Sequence, residues 1–253
     1  MHHLKEKGFM TVNEISEVLG ISKVTVRRDL KLLESQGLIE RKRGGAFLKN
    51  FQLDYPFFFK LEEAKEAKKQ IAKEAVKLLK NGQVVAMSGG STVFYAARAL
   101  DSSPVNDLTI ITNSITTAWA IINLRKHFKL IHSGGTVREN SFECVGGQTH
   151  KFFENISVDV FLMGVDGVNI ESGITFYDFE EATVAREISS RAEKVIVLAD
   201  SSKIGSVAPF KVMDVAEISA LVVEKIDNDR KKDLEKLGVE VIVATGKRKE
   251  GKK

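Results

Sequence analysis

The sequence predicts an α/β chain in two parts: a small helical head closed by a β-hairpin, and a larger body built on a parallel sheet. Three observations lead there. Two amphipathic helical stretches flank a glycine corner at Gly20, a short basic hairpin follows, and beyond Gly82 short apolar runs alternate with helical periodicity. The expected boundaries are 1–50 for the head, 51–61 for a linker, 62–246 for the body and 247–253 for a basic tail.

A chain of 253 residues is long enough for two cores, and 43% apolar with 28% charged residues is an ordinary globular composition. No run approaches the ~18 apolar residues that span a bilayer, and MHHLKEKG lacks the apolar stretch of a signal peptide, so a cytoplasmic protein with no membrane partner is expected. The single cysteine, Cys144, excludes an internal disulfide and offers no metal cluster, so it is read as a core filler and no metal or cofactor is expected. The net charge of +4 is uneven: residues 1–50 hold ten basic against six acidic residues, residues 247–253 five against one, and the segment between them 23 against 27. A basic head on a mildly acidic body points the head toward a polyanion.

Within the head, Thr11 and Glu14 have the spacing of a capping box, and Ile15, Val18 and Leu19 follow on one face, which predicts a helix over about 12–19. Gly20 supplies the corner. Ser22 caps a second helix running to about Gln36, which Gly37 would close. Small Ser16 four residues before Gly20 and Val26 six after it give the spacing of a helix-turn-helix. At ~100° per residue Val26, Leu30 and Leu33 cluster, and Arg28 points nearly opposite them. Val24, Thr25 and Lys31 share the outer half, with Lys23 and Arg27 on its flanks. Such a face offers a methyl to thymine, hydrogen bonds to base edges and cations to phosphates. Leu38 to Arg41 and Ala46 to Leu48 then read as strands around RKRGG, a wing suited to phosphates or the minor groove. The expected DNA-contacting residues are Ser22, Lys23, Val24, Thr25, Arg27, Arg28, Arg41 and Arg43.

The run TVRRDLKLLESQGLIERKRGGA, within residues 10–46, resembles the amino-terminal domain of the DeoR family of bacterial transcription regulators, whose signature has T-[IV]-R-R-D-L, then L-E, G, R and GGA. The family carries a longer first helix before KGFMTV than residues 1–7 supply.

Residues 51–61, FQLDYPFFFKL, are too aromatic for a floppy spacer and predict a segment docked on a neighbouring surface. A helix over about 62–79 follows, with Ile71, Ala75, Leu78 and Leu79 as its apolar stripe and its lysines and glutamates read as a solvated face. Then come VVAM, 93–100, LTIIT, 114–125, KLIH, VDVFLMG, 179–192, KVIVLA, ALVV, 229–237 and VEVIVA. Near-continuous apolar strands separated by helices predict a Rossmann-like parallel sheet covered on both faces. Asp178 with Glu181 predicts a capping box on the 179–192 helix.

The loops after the strands read SGGST at 88–92, TNS at 112–114, SGGT at 133–136, GVDG at 164–167 and ADSSK at 199–203. In an open parallel sheet these loops converge in one crevice. SGGST leads straight into a helix, so its amides and the Ser91 and Thr92 hydroxyls suit a phosphate, and Lys203 would add a point charge. Asp166 and Asp200 suit sugar hydroxyls, or helix caps.

The body over about 63–245 resembles the effector-sensing domain of the same family at IIT-N-S, GG-x-x-R, G-x-D-G and D-x-S-K. That domain is related to ribose-phosphate isomerases and glucosamine-phosphate deaminases, so the resemblance implies a phosphorylated sugar held by Gly90, Ser91, Thr92, Asn113, Gly135, Arg138, Asp166, Glu181 and Lys203. The family has an aspartate where Ser88 stands and a lysine where Ala185 stands. The expected function is a regulator, typically a repressor, of a sugar-catabolism operon, with paired heads of a dimer or tetramer on a double-stranded operator. The alternative is an isomerase or deaminase-like enzyme with an appended DNA-binding head. It needs a general base, and Glu181 is the one acid placed for it. A crevice that only scaffolds an oligomer is the third reading.

Overall fold

A computed structural model of the chain describes residues 3–4, 9–35, 38–42, 44–48 and 57–245, in two compact units, Met1–Tyr55 and Pro56–Lys253. The features expected at Gly37, at Arg43 and in the tail 247–253 lie outside the described residues.

In the head, β1 (Phe9–Thr11) leads directly into α1 (Val12–Leu19). The Thr11 hydroxyl accepts the Glu14 N–H at 3.2 Å, and the Glu14 carboxylate accepts the Thr11 N–H at 2.7 Å, which completes the capping box. Gly20 stops the helix at φ 63°, a left-handed conformation that glycine adopts at little cost. The Ser16 hydroxyl donates to the Ile21 carbonyl at 2.6 Å, so the small residue before the corner ties the corner itself. α2 (Lys23–Ser35) starts on Ser22, whose hydroxyl accepts the Thr25 N–H at 3.1 Å. Val26 and Leu30 are buried with Leu4, Met10, Ile15, Leu38, Ile39 and Ala46. Val18 and Leu19 depart from expectation: they are 47% and 52% exposed, because among the described residues this small core takes Ile15, with Val12 packed against it, from α1.

The wing consists of β2 (Ile39–Lys42) and β3 (Gly45–Leu48), paired antiparallel, and β1 joins the far edge of β3 as a third strand that the sequence reading did not contain. The pairing needs Gly45, since a side chain there would collide with the Met10 carbonyl and the Phe9 ring.

The body begins with α3 (Phe57–Glu62), inside the expected linker. The docking expected of this aromatic segment is seen at Phe57, which finds an apolar seat. Its ring is buried edge-on to Phe94 at 5.5 Å between centroids, and its N–H donates to the Asn140 carbonyl at 2.7 Å. α4 (Lys65–Ala75) follows a break at Ala64, φ 50°, so the helix expected from residue 62 is two.

β4 (Gln83–Met87), α5 (Ser91–Ala99), β5 (Leu108–Thr112), α6 (Ile115–Ile122) and β6 (Lys129–His132) form the first half of the sheet. A hairpin of β7 (Thr136–Val137) and β8 (Cys144–Val145) and a short α7 (Gly147–Phe153) lead back to β9 (Val158–Gly164). After β10 (Gly167–Asn169), β11 (Gly173–Phe176) and α8 (Phe179–Ser190), the chain runs through β12 (Ala192–Leu198) and β13 (Phe210–Met213). β14 (Ala220–Val223), α9 (Asn228–Lys236) and β15 (Glu240–Val243) complete it. Seven strands pair in parallel in the order β15-β14-β12-β9-β4-β5-β6, while β10, β11 and β13 make a small antiparallel sheet.

The pleat divides the core as two covered faces require. Val85, Met87, Val160, Leu162, Ile196 and Leu198 pack on the α4–α5 side, and Ala86, Phe161, Met163, Val195 and Val197 on the α8 side. The chain order reverses between β4 and β9. The loops that leave the carboxyl ends of those strands therefore run to opposite sides, the place where such sheets offer a crevice.

Candidate functional site

On the head, the outer face of α2 has the predicted polarity. Val24 is 73% exposed, the Arg28 side chain is 80% exposed, and Lys23, Arg27 and Lys31 are exposed with them, while Val26 and Leu30 face inward. The Ser22 and Thr25 hydroxyls lie 2.9 Å apart and share the cap, so Ser22 holds the start of α2 as well as facing outward. Asp29 steadies Arg28 at 3.5 Å. The Arg41 guanidinium lies 3.5 Å from Glu34, and the Arg41 N–H donates to the same carboxylate at 3.3 Å. Among the described expected cations it is the one paired with an acid from another element.

In the body, Gly90 follows β4 and leads into Ser91 and Thr92 of α5, Asn113 follows β5, Gly135 follows β6, Arg138 follows β7, Asp166 follows β9 and Lys203 follows β12, while Glu181 lies in the first turn of α8. Ser88 spans the switch point. Its hydroxyl accepts the Gly164 N–H at 3.1 Å and donates to the Gly89 carbonyl at 3.1 Å. Gly90 turns at φ 86° into α5, placing buried Ser91 and Thr92 in its first turn, where free amides and the helix dipole favour an anion. Gly135, at φ 125°, leaves room for the Thr149 hydroxyl.

Several expected ligands already have protein partners. Arg138 pairs with Asp178 at 3.0 Å and with Glu181, so it is a neutralised cation bridging two acids rather than a free one. This also corrects the helix cap. Asp178 accepts the Glu181 N–H at 2.9 Å, but the Glu181 carboxylate turns to Arg138 instead of completing the box. Asp166 accepts the Tyr177 N–H at 3.0 Å and meets Lys60 of α3 at 3.4 Å. Asp200 caps the turn over Ser201–Lys203, accepting the Ser202 N–H at 3.1 Å.

Two charged residues were missed. Glu143 is 6% exposed, and burial first, then the nearby Glu181, pushes its carboxyl up to about 8. It accepts from Asn113 Nδ2 at 3.2 Å. Lys68, read as part of a solvated face, is 3% exposed and donates to the Lys60 and Glu63 carbonyls at 2.5 and 2.7 Å. Burial lowers it to about 8, with Lys203 acting in the same direction. The signal for Glu143 was an acid between Phe142 and Cys144, inside an apolar run. Lys68 sits on the same helical stripe as Ile71 and Ala75. Cys144 is buried, as a core filler would be, and burial raises its thiol.

Among the described residues no cluster of His, Cys, Asp or Glu could hold a metal ion, and no helix is long and apolar enough to cross a membrane.

The DeoR-like helix-turn-helix domain model matches residues 1–51, and the DeoR C terminal sensor domain model matches residues 63–225. The chain is 31% identical to the HTH-type transcriptional regulator GolR of Listeria innocua over 96% of each chain. It is 32% identical to the HTH-type transcriptional repressor GlcR of Bacillus subtilis, over 95% of this chain and 92% of that one. With the glycerol-3-phosphate regulon repressor of Escherichia coli it shares 27% over 86% of this chain and 85% of the other. A solved ribose 5-phosphate isomerase A from Methanocaldococcus jannaschii aligns at 21% identity and a TM-score of 0.42, covering 56% of this chain and 55% of that one, a likeness too partial to bear on function.

Proposed function

The chain belongs to the DeoR family of transcription regulators, and from that premise we propose that it is a repressor of a sugar-catabolism operon, released or recruited by a phosphorylated sugar. α2 enters the major groove of a double-stranded operator, where Val24, Thr25 and Arg28 meet base edges, and Ser22, Lys23 and Arg27 meet phosphates. Arg41 and Arg43 belong to the same phosphate-contacting set by sequence, with Arg41 sharing its charge with Glu34.

The observation that carries this reading is the outer face of α2, where Val24 stands 73% exposed beside exposed cations on a helix whose opposite side is fully buried. In the body, the buried Ser91–Thr92 turn at the start of α5 supports a phosphate, with Asn113, Gly135, Asp166 and Lys203 around it. Exposed Phe58, Ile115, Trp119 and Ile122 support a self-associating body, as paired heads on repeated half-sites require. The protein works in the cytoplasm, without a cofactor.

The reading as an isomerase or deaminase loses support because Glu181 is committed to Arg138, and a general base must be free to take a proton from substrate. The ligand regulates only if it binds the DNA-competent and incompetent states with different affinity. A gel-shift at physiological salt with genomic operator fragments, repeated with a panel of sugar phosphates, tests this. Sequence-selective binding altered by one of them is expected, and no sequence preference under any condition would refute it.

A further inference from the structure

The crevice holds a buried acid where an anion is expected, and this is the least expected feature of the body. Glu143 lies on the hairpin arm between β7 and β8. Phe142 takes a left-handed conformation at φ 58° and packs edge-on against Phe57 and Phe58, at 6.2 and 5.5 Å between centroids. The Arg138 N–H donates to the Glu143 carbonyl at 2.9 Å, the Ile115 N–H to the Phe142 carbonyl at 2.9 Å, and the Cys144 N–H to the Asn113 carbonyl at 2.7 Å. The arm is thus laced to residues 113–115, and the Glu143 side chain has one direction to go.

It goes to the glycine loop. Its carboxyl lies flat against Gly89, so close that a Cβ on residue 89 would sit less than 3.0 Å from its Cγ, Cδ and Oε1. Gly89 precedes the Gly90 turn and the first turn of α5. The neighbouring Asn113 is 1% exposed, and its Nδ2 is fixed by Glu143 and by the Cys144 carbonyl at 3.0 Å. Its Oδ1 has no hydrogen-bond partner among the described residues. A buried amide oxygen left without a donor beside this loop is a place for a ligand hydroxyl.

We propose that Glu143 is a specificity-determining residue of the anion cradle, placed against Gly89 so that it meets the ligand's phosphate group directly. This rests on the reading of the 88–92 loop as that cradle. As a neutral carboxylic acid Glu143 donates its O–H to a phosphate oxygen. As a carboxylate it opposes a dianion at close range in a low-dielectric site. Burial favours the neutral form, as does Glu181 on α8, with Arg138 divided between Glu181 and Asp178; the Asn113 amide and the Gly89 N–H, which donate to the carboxyl, act the other way. Lys60 on α3 opposes, with its charge shared by Asp166, and the Cys144 thiol next door is uncharged. With ionisation near pH 8, the cradle admits the anion at neutral pH and rejects it above.

The test is titration calorimetry of the full chain with sulfate, which keeps its double charge throughout, and with inorganic phosphate, at pH 6.5 and 9.0 and constant ionic strength. Wild-type affinity for sulfate is expected to fall roughly tenfold more between those conditions than that of Glu143→Gln, because one pH unit above the ionisation leaves about one molecule in ten protonated. Lys60, Lys68 and Lys203 are present in both proteins, so losses through them cancel. Equal pH ratios in the two proteins would overturn the role of Glu143 and leave the cradle standing. Absence of sulfate and phosphate binding in both proteins at both pH values would overturn the cradle and the role of Glu143 together. If Glu143→Gln does not fold, Glu143→Ala carries the same comparison, and a wild-type affinity unchanged between the two pH values overturns the proposal without any variant.

Discussion

Gly89→Ala tests the packing of the crevice without any ligand. The backbone of Gly89 is not in the left-handed region, so alanine is compatible with it, and on chain entropy alone the change would stabilise by roughly 0.4–1 kcal/mol. The obstacle is Glu143. A Cβ at residue 89 would fall inside 3.0 Å of three of its side-chain atoms, whereas comfortable carbon contacts lie at roughly 3.5–4.0 Å, so the carboxyl must retreat by about 1 Å. It has little room to do so, being 6% exposed and fixed by Asn113. Overpacking of this kind costs about 1–3 kcal/mol. In a Glu143→Ala background the obstacle is gone, and the same alanine is expected to be neutral or mildly stabilising. The coupling in the double-mutant cycle is then about 1–3 kcal/mol. Urea unfolding followed by Trp119, the single tryptophan, stacked on Phe94 at 6.3 Å, reports on the body alone. The same loss for Gly89→Ala with and without Glu143 would refute the packing argument.

Two further outcomes follow from the same geometry. The folded-state value for Glu143, about 8, is raised above the ordinary 4.5, so the stability this residue contributes is complete below 4.5 and is lost as pH rises through 8. Urea midpoints of wild type and Glu143→Gln should therefore diverge in favour of the variant between pH 5 and 8.5, by a few kcal/mol and at most about 5; parallel curves would contradict the burial argument. On the head, Arg28→Ala is expected to relax sequence preference, at about 1–3 kcal/mol for the position it reads, whereas Arg27→Ala should weaken binding to all sequences and lower the salt slope by about one. Gel-shifts across a salt series distinguish the two, and identical behaviour would show that α2 is rotated from the orientation argued above.

What the sequence made legible was local. Thr11 and Glu14 are three residues apart, Ser16 and Gly20 four, and Val26 and Leu30 one turn apart, so capping and periodicity delivered α1, the corner and α2. The strands of the parallel sheet announced themselves because burial on both faces leaves an unbroken apolar run. What escaped depended on distant partners. β1 is three residues long and exists because Gly45 lies opposite Thr11. That the aromatic segment would dock was legible, but not that it would do so as α3 with Phe94 as the partner of Phe57. Lys68 follows helical spacing like its exposed neighbours, but its ammonium finds two carbonyls at the end of α3. Glu181 sat where a capping box puts it, and an arginine 43 positions away took its carboxylate instead.

The hydroxyl of Ser88, bridging Gly164 and Gly89, acquires a further meaning beside Glu143. The family pattern has an acid at the position of Ser88, and by that pattern the loop is one carboxyl short. In space it is not short: Glu143, 55 positions later and on another arm of the chain, lays a carboxyl against the adjacent glycine. A carboxyl group thus reaches this loop from another arm of the chain. A strand-end carboxyl is carried by a rigid sheet, whereas this one rides on a hairpin arm held by Phe142. Residues that look peripheral to the crevice, such as Phe58 and Phe142, thereby help to set the charge inside it.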